Sequence, residues 1–197
     1  MCLLTLSGQA IANPLADAKF AYDQGSYVKA VKLFKPLAQQ GDASAQLMLG
    51  GMYVRGQGVA QNSKEAVKLY QMAAAQGDAT AQFILGMMYH RGKNISQDGK
   101  EAVKWYKLAA ESGSATAPFI LGLMYSKGQG ISQNYEQAIK WYQLAAEQGN
   151  ASAQFNLGSM YINGQGVVQN HPKAVKWFKL AAEQGTALAQ WNLGLMY

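Results

Sequence analysis

The sequence has few of the residues on which catalysis and metal binding usually depend. Cys2 is the only cysteine, so neither a disulfide nor a cysteine-rich zinc site can form within the chain. His90 and His171 are the only histidines; they lie far apart in the sequence, and neither belongs to a His-Glu-x-x-His motif. These absences argue against a zinc site, and we predict no metal, no cofactor and no catalytic residue.

The charge of the chain is low and evenly spread. Charged residues make up 14% of the sequence and hydrophobic residues 49%, a balance that favours a folded chain over a disordered one. The formal net charge is +6, but the lysines occur throughout the chain instead of forming one basic run, so we predict no nucleic-acid partner. No apolar run approaches the roughly 18 residues of a membrane-spanning helix, so we predict no membrane insertion.

The chain consists instead of a repeat with a period of 36 residues. One glycine returns at that spacing, and a tyrosine follows it three residues later each time. The glycines are Gly50, Gly86, Gly122, Gly158 and Gly194, and the tyrosines are Tyr53, Tyr89, Tyr125, Tyr161 and Tyr197. Repeats of this length stack into arrays in which neighbouring units share one core and expose a long surface suited to binding.

Each repeat has the pattern of two helices separated by a loop. In the second repeat the apolar spacing predicts helices over 79–91 and 99–112, with a break over 92–97. A glycine that can adopt the left-handed conformation ends each first helix, at Gly56, Gly92, Gly128 and Gly164. A second turn residue follows, at Gly58, Asn94, Gly130 and Gly166. We expect the second helices to begin at Ser63, Gly99, Asn134 and Asn170.

The first helix of each repeat has one face that recurs and one that varies. The recurring face of the second repeat, which we predict to be core, is Ala81, Leu85, Met88 and Tyr89. Gly86 lies at its edge, where the missing side chain would let the second helix approach at Ala102. Gly86→Val should therefore destabilise the hairpin strongly. We interpret the aromatic residues of the second helix, such as Tyr106, as core rather than as a cofactor site.

The varying face is predicted to carry the function. Because it points away from the partner helix, we expect its bulky members to pack between repeats and the others to line a concave surface. The bulky members are Leu47, Phe83, Phe119, Phe155 and Trp191. The predicted partner-binding residues are Arg55, Met87, His90, Arg91, Leu123, Lys127, Ser159, Ile162 and Asn163. The basic ones either complement the negative end of the helix dipole or form a rail for a peptide carboxylate or acidic side chains.

The recurring residues have the form A-x-A-Q-F-x-L-G-x-M-Y-x-x-G-x-G-[VI]-x-Q-[ND], followed by K-A-V-K-W-[YF]-x-x-A-A-x-Q-G. This pattern resembles the Sel-one-like repeat family, a branch of the tetratricopeptide superfamily. The resemblance implies an all-α fold, a right-handed α-α superhelix of antiparallel helical hairpins that binds protein partners along its concave surface. It divides the chain into a capping hairpin over 13–42, four full repeats over 43–78, 79–114, 115–150 and 151–186, and the first helix of an incomplete fifth over 187–197.

The first residues, 1–12, have a different composition from the repeats. They are uncharged and apolar, and Ala10-Ile11-Ala12 resembles the small-residue cleavage site at the end of a secretory signal peptide. We therefore expect a periplasmic or secreted protein, with the cytoplasm as the alternative.

Two classes of function follow. The first is a non-enzymatic scaffold or adaptor that binds a protein or peptide partner in the groove of the repeats. The alternative is an envelope protein that binds or hydrolyses a cell-wall fragment or β-lactam, because a disulfide-rich subgroup of the resembled family is linked to such ligands. That subgroup joins the helices of each repeat with cysteines, whereas the repeats of this chain contain none.

Overall fold

The structure is a computed structural model that describes residues 13–92 and 95–196. Within these residues it contains eleven α-helices and no strand. The helices are α1 (Pro14–Asp23), α2 (Tyr27–Gln39), α3 (Ala43–Arg55), α4 (Ser63–Ala75), α5 (Ala79–Arg91), α6 (Gly99–Glu111), α7 (Ala117–Lys127), α8 (Tyr135–Glu147), α9 (Ala151–Asn163), α10 (His171–Glu183) and α11 (Ala187–Met196). The predicted all-α helical-repeat fold is confirmed, while the signal-peptide hypothesis for 1–12 lies outside the described residues.

The helices pair in chain order as hairpins, from α1 with α2 to α9 with α10. They fall into two compact units that divide between Gln76 and Gly77. The N-terminal unit holds α1 to α4, and the C-terminal unit holds α5 to α11. Within each unit the second helix of one hairpin also packs on the first helix of the next, as α2 does on α3 and α6 on α7.

The second helices begin where an Asn or Asp side chain caps them. Asn62 accepts a hydrogen bond from the backbone N–H of Glu65 at 3.1 Å, and Asn134 accepts one from Gln137 at 2.9 Å. A capping residue keeps an extended backbone and lies just outside the helix. The predicted starts at Ser63 and Gly99 are therefore confirmed, whereas Asn134 and Asn170 prove to be caps, and α8 and α10 begin one residue later.

Each first helix of the four full repeats ends at a left-handed glycine, as predicted. The φ angles of these glycines lie between 62° and 67°. The glycine two residues further on also has a positive φ in the three repeats where it is present. The residue at this position in the second repeat, Asn94, lies outside the described residues.

The recurring face of the first helices is buried, as predicted. In α5, Ala81 and Leu85 are fully buried and Met88 nearly so. A Cβ on Gly86 would lie 2.6 Å from the Tyr106 ring of α6, so no larger residue fits without moving that ring. The close approach predicted at Gly86 is confirmed, and the side chain in contact belongs to Tyr106 rather than to Ala102.

Buried glutamines join successive hairpins within each unit. Gln46 of α3 donates to the carbonyl oxygen of Ala38 in α2 at 3.0 Å, and Gln76 donates to its Oε1 at 2.9 Å. Gln154 makes the same bond to the Ala146 carbonyl at 3.1 Å. Each bond satisfies a carbonyl near the end of a second helix that has no partner within that helix. These glutamines were not among the predicted functional or core residues, although they recur at the repeat spacing.

Candidate binding site

Three of the predicted partner-binding residues meet at one pocket in the C-terminal unit. Leu123 and Lys127 come from α7 and Ser159 from α9, and the pocket between these helices and α8 has a volume of 290 Å³. The remaining lining residues are Ser126, Tyr135, Tyr142, Asn156, Met160 and Gln165. A space of this size is at the lower limit of small-molecule pockets and suits a side chain of a bound segment.

The repeat spacing explains why these residues share a surface. Leu123 and Lys127 are four residues apart and therefore lie one helical turn apart on the same face of α7. Ser159 stands one repeat period after Leu123, so it takes the equivalent place on α9. A face predicted from one helix thus continues onto the next first helix of the unit.

The interior of the pocket is organised around the Tyr142 hydroxyl. The Ser126 hydroxyl donates to the Leu123 carbonyl oxygen at 3.2 Å, and it shares a hydrogen bond with the Tyr142 hydroxyl at 3.0 Å. Burial raises the pKa of Tyr142, and its hydrogen bonds to Ser126 and Asn156 act in the opposite direction. Tyr142 therefore stays neutral around pH 7 and presents a fixed polar group.

A loop glutamine holds the edge of this pocket. Gln133 donates to the Ser126 carbonyl at 2.7 Å, which satisfies one of the last carbonyls of α7, and to the Tyr135 hydroxyl at 3.0 Å. The equivalent glutamines of the other repeats bond to the equivalent carbonyls; they are Gln61, Gln97 and Gln169. This glutamine recurs in the motif, but the sequence pattern alone does not show that its side chain caps a helix.

Lys127 is the only charged residue that lines the pocket. Its side chain is exposed in the last turn of α7, and it makes no ion pair within residues 13–92 and 95–196. The position suits the negative end of the helix dipole, which accounts for a cation there. Because no carboxylate lines the pocket, that cation also remains available to an acidic group of a ligand.

In each repeat of the C-terminal unit, the residue at the position of Ser126 has a polarity that suits the ring of the second helix near it. In the second repeat, His90 Nδ1 lies 3.5 Å from the Tyr106 hydroxyl, with the two rings edge to face. Burial lowers the pKa of His90, as does the charge of Arg91, and burial raises the pKa of Tyr106 to about 12. In the fourth repeat, Ile162 packs on the cluster that contains Phe178, which has no hydroxyl. The polar side chain of His90 and the apolar side chain of Ile162 are therefore explained in part by the rings that they contact within the fold.

The other predicted residues lie around these positions. Met87 is half-buried against the core of the second repeat, and Arg91 and Asn163 are exposed at the ends of α5 and α9. Arg55, in the N-terminal unit, is held by its own unit: its Nε donates to Gln57 at 2.6 Å and its Nη2 to the Tyr22 hydroxyl at 3.0 Å.

The sequence profile of the Sel1 repeat matches residues 21–42, 43–78, 79–114, 117–150, 151–186 and 187–197. The matched segments cover most of the chain, and the four over 43–186 each contain one of the helical hairpins described above. The chain belongs to the Sel1 repeat family. The Sel1 repeat forms a helical solenoid, a fold commonly used for protein–protein interaction, and the family is generally a non-catalytic scaffold. No significant match to a curated protein was found.

Two crystal structures share this Sel1 repeat fold and more than a third of the aligned residues. The protective antigen c5321 of uropathogenic Escherichia coli, which displays an SLR fold, is 35% identical with a TM-score of 0.82. The match covers 93% of this chain but only 41% of that protein. A Sel1 repeat protein from Oxalobacter formigenes is 36% identical over 91% of this chain and 71% of its own, with a TM-score of 0.74.

One expectation about the varying face of the Sel1 repeats is wrong. The bulky residues do not point away from the partner helix, since the ring centroids of Phe83 and Tyr106 are 5.4 Å apart and those of Phe155 and Phe178 are 5.7 Å apart. The ring of the second helix lies over a glycine of the first helix, such as Gly86 under Tyr106, and therefore reaches the varying face of that first helix. The expected packing between repeats is confirmed for Phe83, Phe119 and Phe155. Trp191 of α11 lacks such cover and is 63% exposed.

No group of three or more His, Cys, Asp or Glu side chains that could hold a metal ion occurs in the described part of the chain. None of its helices combines the length and apolar character needed to cross a membrane.

Proposed function

We propose that this chain is a non-enzymatic scaffold that binds a segment of a partner protein on the face formed by α7 and α9. The observation that carries the proposal is the pocket at Leu123, Lys127 and Ser159, where residues predicted from the repeat pattern meet. The pocket combines an apolar floor, fixed hydroxyl groups and one cation. This combination suits a side chain with an apolar stem and an acidic end, such as glutamate in a partner segment.

The charge of the pocket supports an acidic partner segment. Lys127 has no carboxylate within ion-pair distance among the described residues, so a partner carboxylate would meet no internal competitor. A charge-assisted hydrogen bond from Lys127 would then add to the contacts made by Leu123 and Met160. Because Lys127 lies at the exposed edge of the pocket, this attraction acts mainly on selectivity and association rate.

The proposal is tested by selecting peptides from a random displayed library with the full chain. The affinities of the enriched peptides are then measured for wild type, Lys127→Glu and the control Lys140→Glu, which reverses an exposed charge of α8 outside the pocket. We expect acidic peptides whose affinity falls about tenfold with Lys127→Glu and is unchanged with Lys140→Glu. Melting temperatures verify that both variants fold. Equal losses in the two variants, or none in either, would count against this site.

A further inference from the structure

Among the four full repeats, one position of the second helix departs from the pattern only in the first. The later repeats have Trp105, Trp141 and Trp177, whereas the first repeat has Leu69 at the same place in the 36-residue period. Since the neighbouring positions keep the repeat pattern, this difference replaces a large flat ring by a smaller branched side chain at an otherwise equivalent site.

In the C-terminal unit the tryptophan fills a groove between three helices. Trp141 of α8 is half-buried against the cluster of α6 and α7 that contains Leu121, and Ala110 and Tyr125 pack on the same cluster. Trp177 of α10 packs in the same way against the cluster of α8 and α9. The indole ring is therefore the side chain that this groove is shaped to accept.

In the N-terminal unit the equivalent groove is an open pocket of 320 Å³. Its walls are Ala38 of α2 and Leu49 and Tyr53 of α3, which stand 72 residues, two periods, before Ala110, Leu121 and Tyr125. Leu69 of α4 is itself 5% exposed and forms the base of the pocket. The other lining residues are Lys35, Gln39, Glu65, Lys68 and Met72.

A lysine at this groove is already placed for contact with an aromatic ring. Lys104 Nζ lies 5.6 Å from the centroid of Trp105, and Lys176 Nζ lies 5.5 Å from that of Trp177. Lys68 occupies the same repeat position and lines the pocket, where Leu69 provides no ring. A cation within about 6 Å of an indole ring is attracted to its face. Met72, 37% exposed at the pocket, adds a thioether, which also makes favourable contacts with aromatic rings.

We propose that this pocket binds a tryptophan side chain of a partner protein, which takes the place that the chain's own tryptophans fill in later repeats. The site is separate from the pocket at Lys127. The proposal rests on the proposed function only because it takes the tryptophan to come from a partner protein. The occupant follows from the shape of the groove and from Lys68, because the same chain places a lysine near an indole ring at two of the equivalent positions, Trp105 and Trp177.

The proposal is tested with N-acetyl-tryptophanamide as the probe and N-acetyl-leucinamide as the matched aliphatic control, both titrated into the full chain and followed by NMR. We expect chemical-shift changes at Leu49, Leu69 and Met72 with the tryptophan probe and none with the leucine probe. Lys68→Met should weaken binding about threefold through loss of the cation. Lys64→Met, on the same helix but outside the pocket, should leave it unchanged.

The decisive variant is Leu69→Trp, which fills the groove from within. It should weaken probe binding at least about tenfold and raise the melting temperature, since the new ring buries apolar surface. Leu188→Trp adds an indole at a site that is 59% exposed and should change neither. Absence of shifts at the pocket, binding that persists in Leu69→Trp, or a lower melting temperature of that variant would each overturn the proposal.

The two proposed sites can fail independently. Lys127→Glu should not affect binding of N-acetyl-tryptophanamide, because Lys127 does not line this pocket. If the probe binds while no selected peptide depends on Lys127, the indole site stands and the site between α7 and α9 fails.

Discussion

The first and third repeats place a glycine beneath an aromatic ring in the same way. A Cβ on Gly50 would lie 2.9 Å from the Tyr70 ring, and one on Gly122 would overlap the Tyr142 ring more severely. The repeats differ one residue earlier on the second helix, where Leu69 leaves a groove open and Trp141 closes it. The hairpin therefore depends on residues that recur, while a single varying residue decides whether the groove is open or filled.

The two repeats also differ in how they join the hairpin before them. Gln46 ties the first repeat to the Ala38 carbonyl, but the third repeat has Pro118 at this position. Proline has no side-chain donor, and it suits the first turn of a helix because its missing N–H needs no partner there. Ser114 accepts a bond from the Ala117 N–H at 3.3 Å, as Asp42 accepts one from the Ala45 N–H in the first repeat. The third repeat thus keeps the hydrogen bond at the start of its first helix but has no glutamine at the position that links the hairpins in the first repeat.

The largest effect is expected where both repeats are the same. Gly122→Val should lower the free energy of unfolding by about 3 kcal/mol and Gly50→Val by about 2 kcal/mol, because the added side chain displaces a buried ring. At Gly194, the equivalent position of α11, an added Cβ would have no other heavy atom of the described residues within 4 Å. Gly194→Val should therefore change stability by less than about 0.5 kcal/mol in urea titrations. Equal costs at all three glycines would show that helix propensity, not ring packing, selects this residue.

An intermediate effect is expected from opening the groove in the third repeat. Trp141→Leu should cost about 2 kcal/mol, because the half-buried ring is lost and a space remains. The variant should also acquire a second binding site for N-acetyl-tryptophanamide, detected as shift changes at Leu121 and Tyr125. Thermal unfolding and the NMR titration measure the two consequences separately. A variant that loses stability without binding the probe would mean that the groove closes when the ring is removed.

The smallest effect is expected from the ring hydroxyls. The Tyr142 hydroxyl is bonded to Ser126, whereas the Tyr70 hydroxyl has no hydrogen bond within the described residues. Tyr142→Phe should therefore cost about 1 kcal/mol and Tyr70→Phe close to none. A double-mutant cycle with Ser126→Ala isolates the bond to Tyr142. If Tyr70→Phe proved the more costly change, an unrecognised partner of Tyr70 would be implied.

Much of the fold could be predicted because it depends on short-range rules repeated several times. Gly92 and its equivalents end helices through the left-handed backbone that glycine tolerates. Asn62 caps the start of a helix by accepting a hydrogen bond from the N–H three residues later. These features need no knowledge of distant contacts. The caps at Asn134 and Asn170 were placed one residue inside their helices, because a sequence pattern does not distinguish a capping residue from the first helical one.

The candidate site was predicted less completely. Leu123, Lys127 and Ser159 were recognised because they vary on a helix whose other face recurs. The pattern could not show that Tyr142 reaches the same pocket from the second helix, or that Phe119 lies 6.1 Å from its ring. Those contacts depend on how far a side chain extends across the hairpin. The spacing of residues along one helix carries no information about that distance.

The sequence by itself determined the period, the paired helices, their stops and the buried face, because glycine stops, caps and apolar spacing act within a few residues. Only the tertiary structure decided which variable positions share a pocket, and that Leu69 leaves one open where Trp141 fills it. It also showed that Gln46 is an internal link. Such outcomes depend on the distance between helices, and that distance is set by packing of glycine against a ring on another helix.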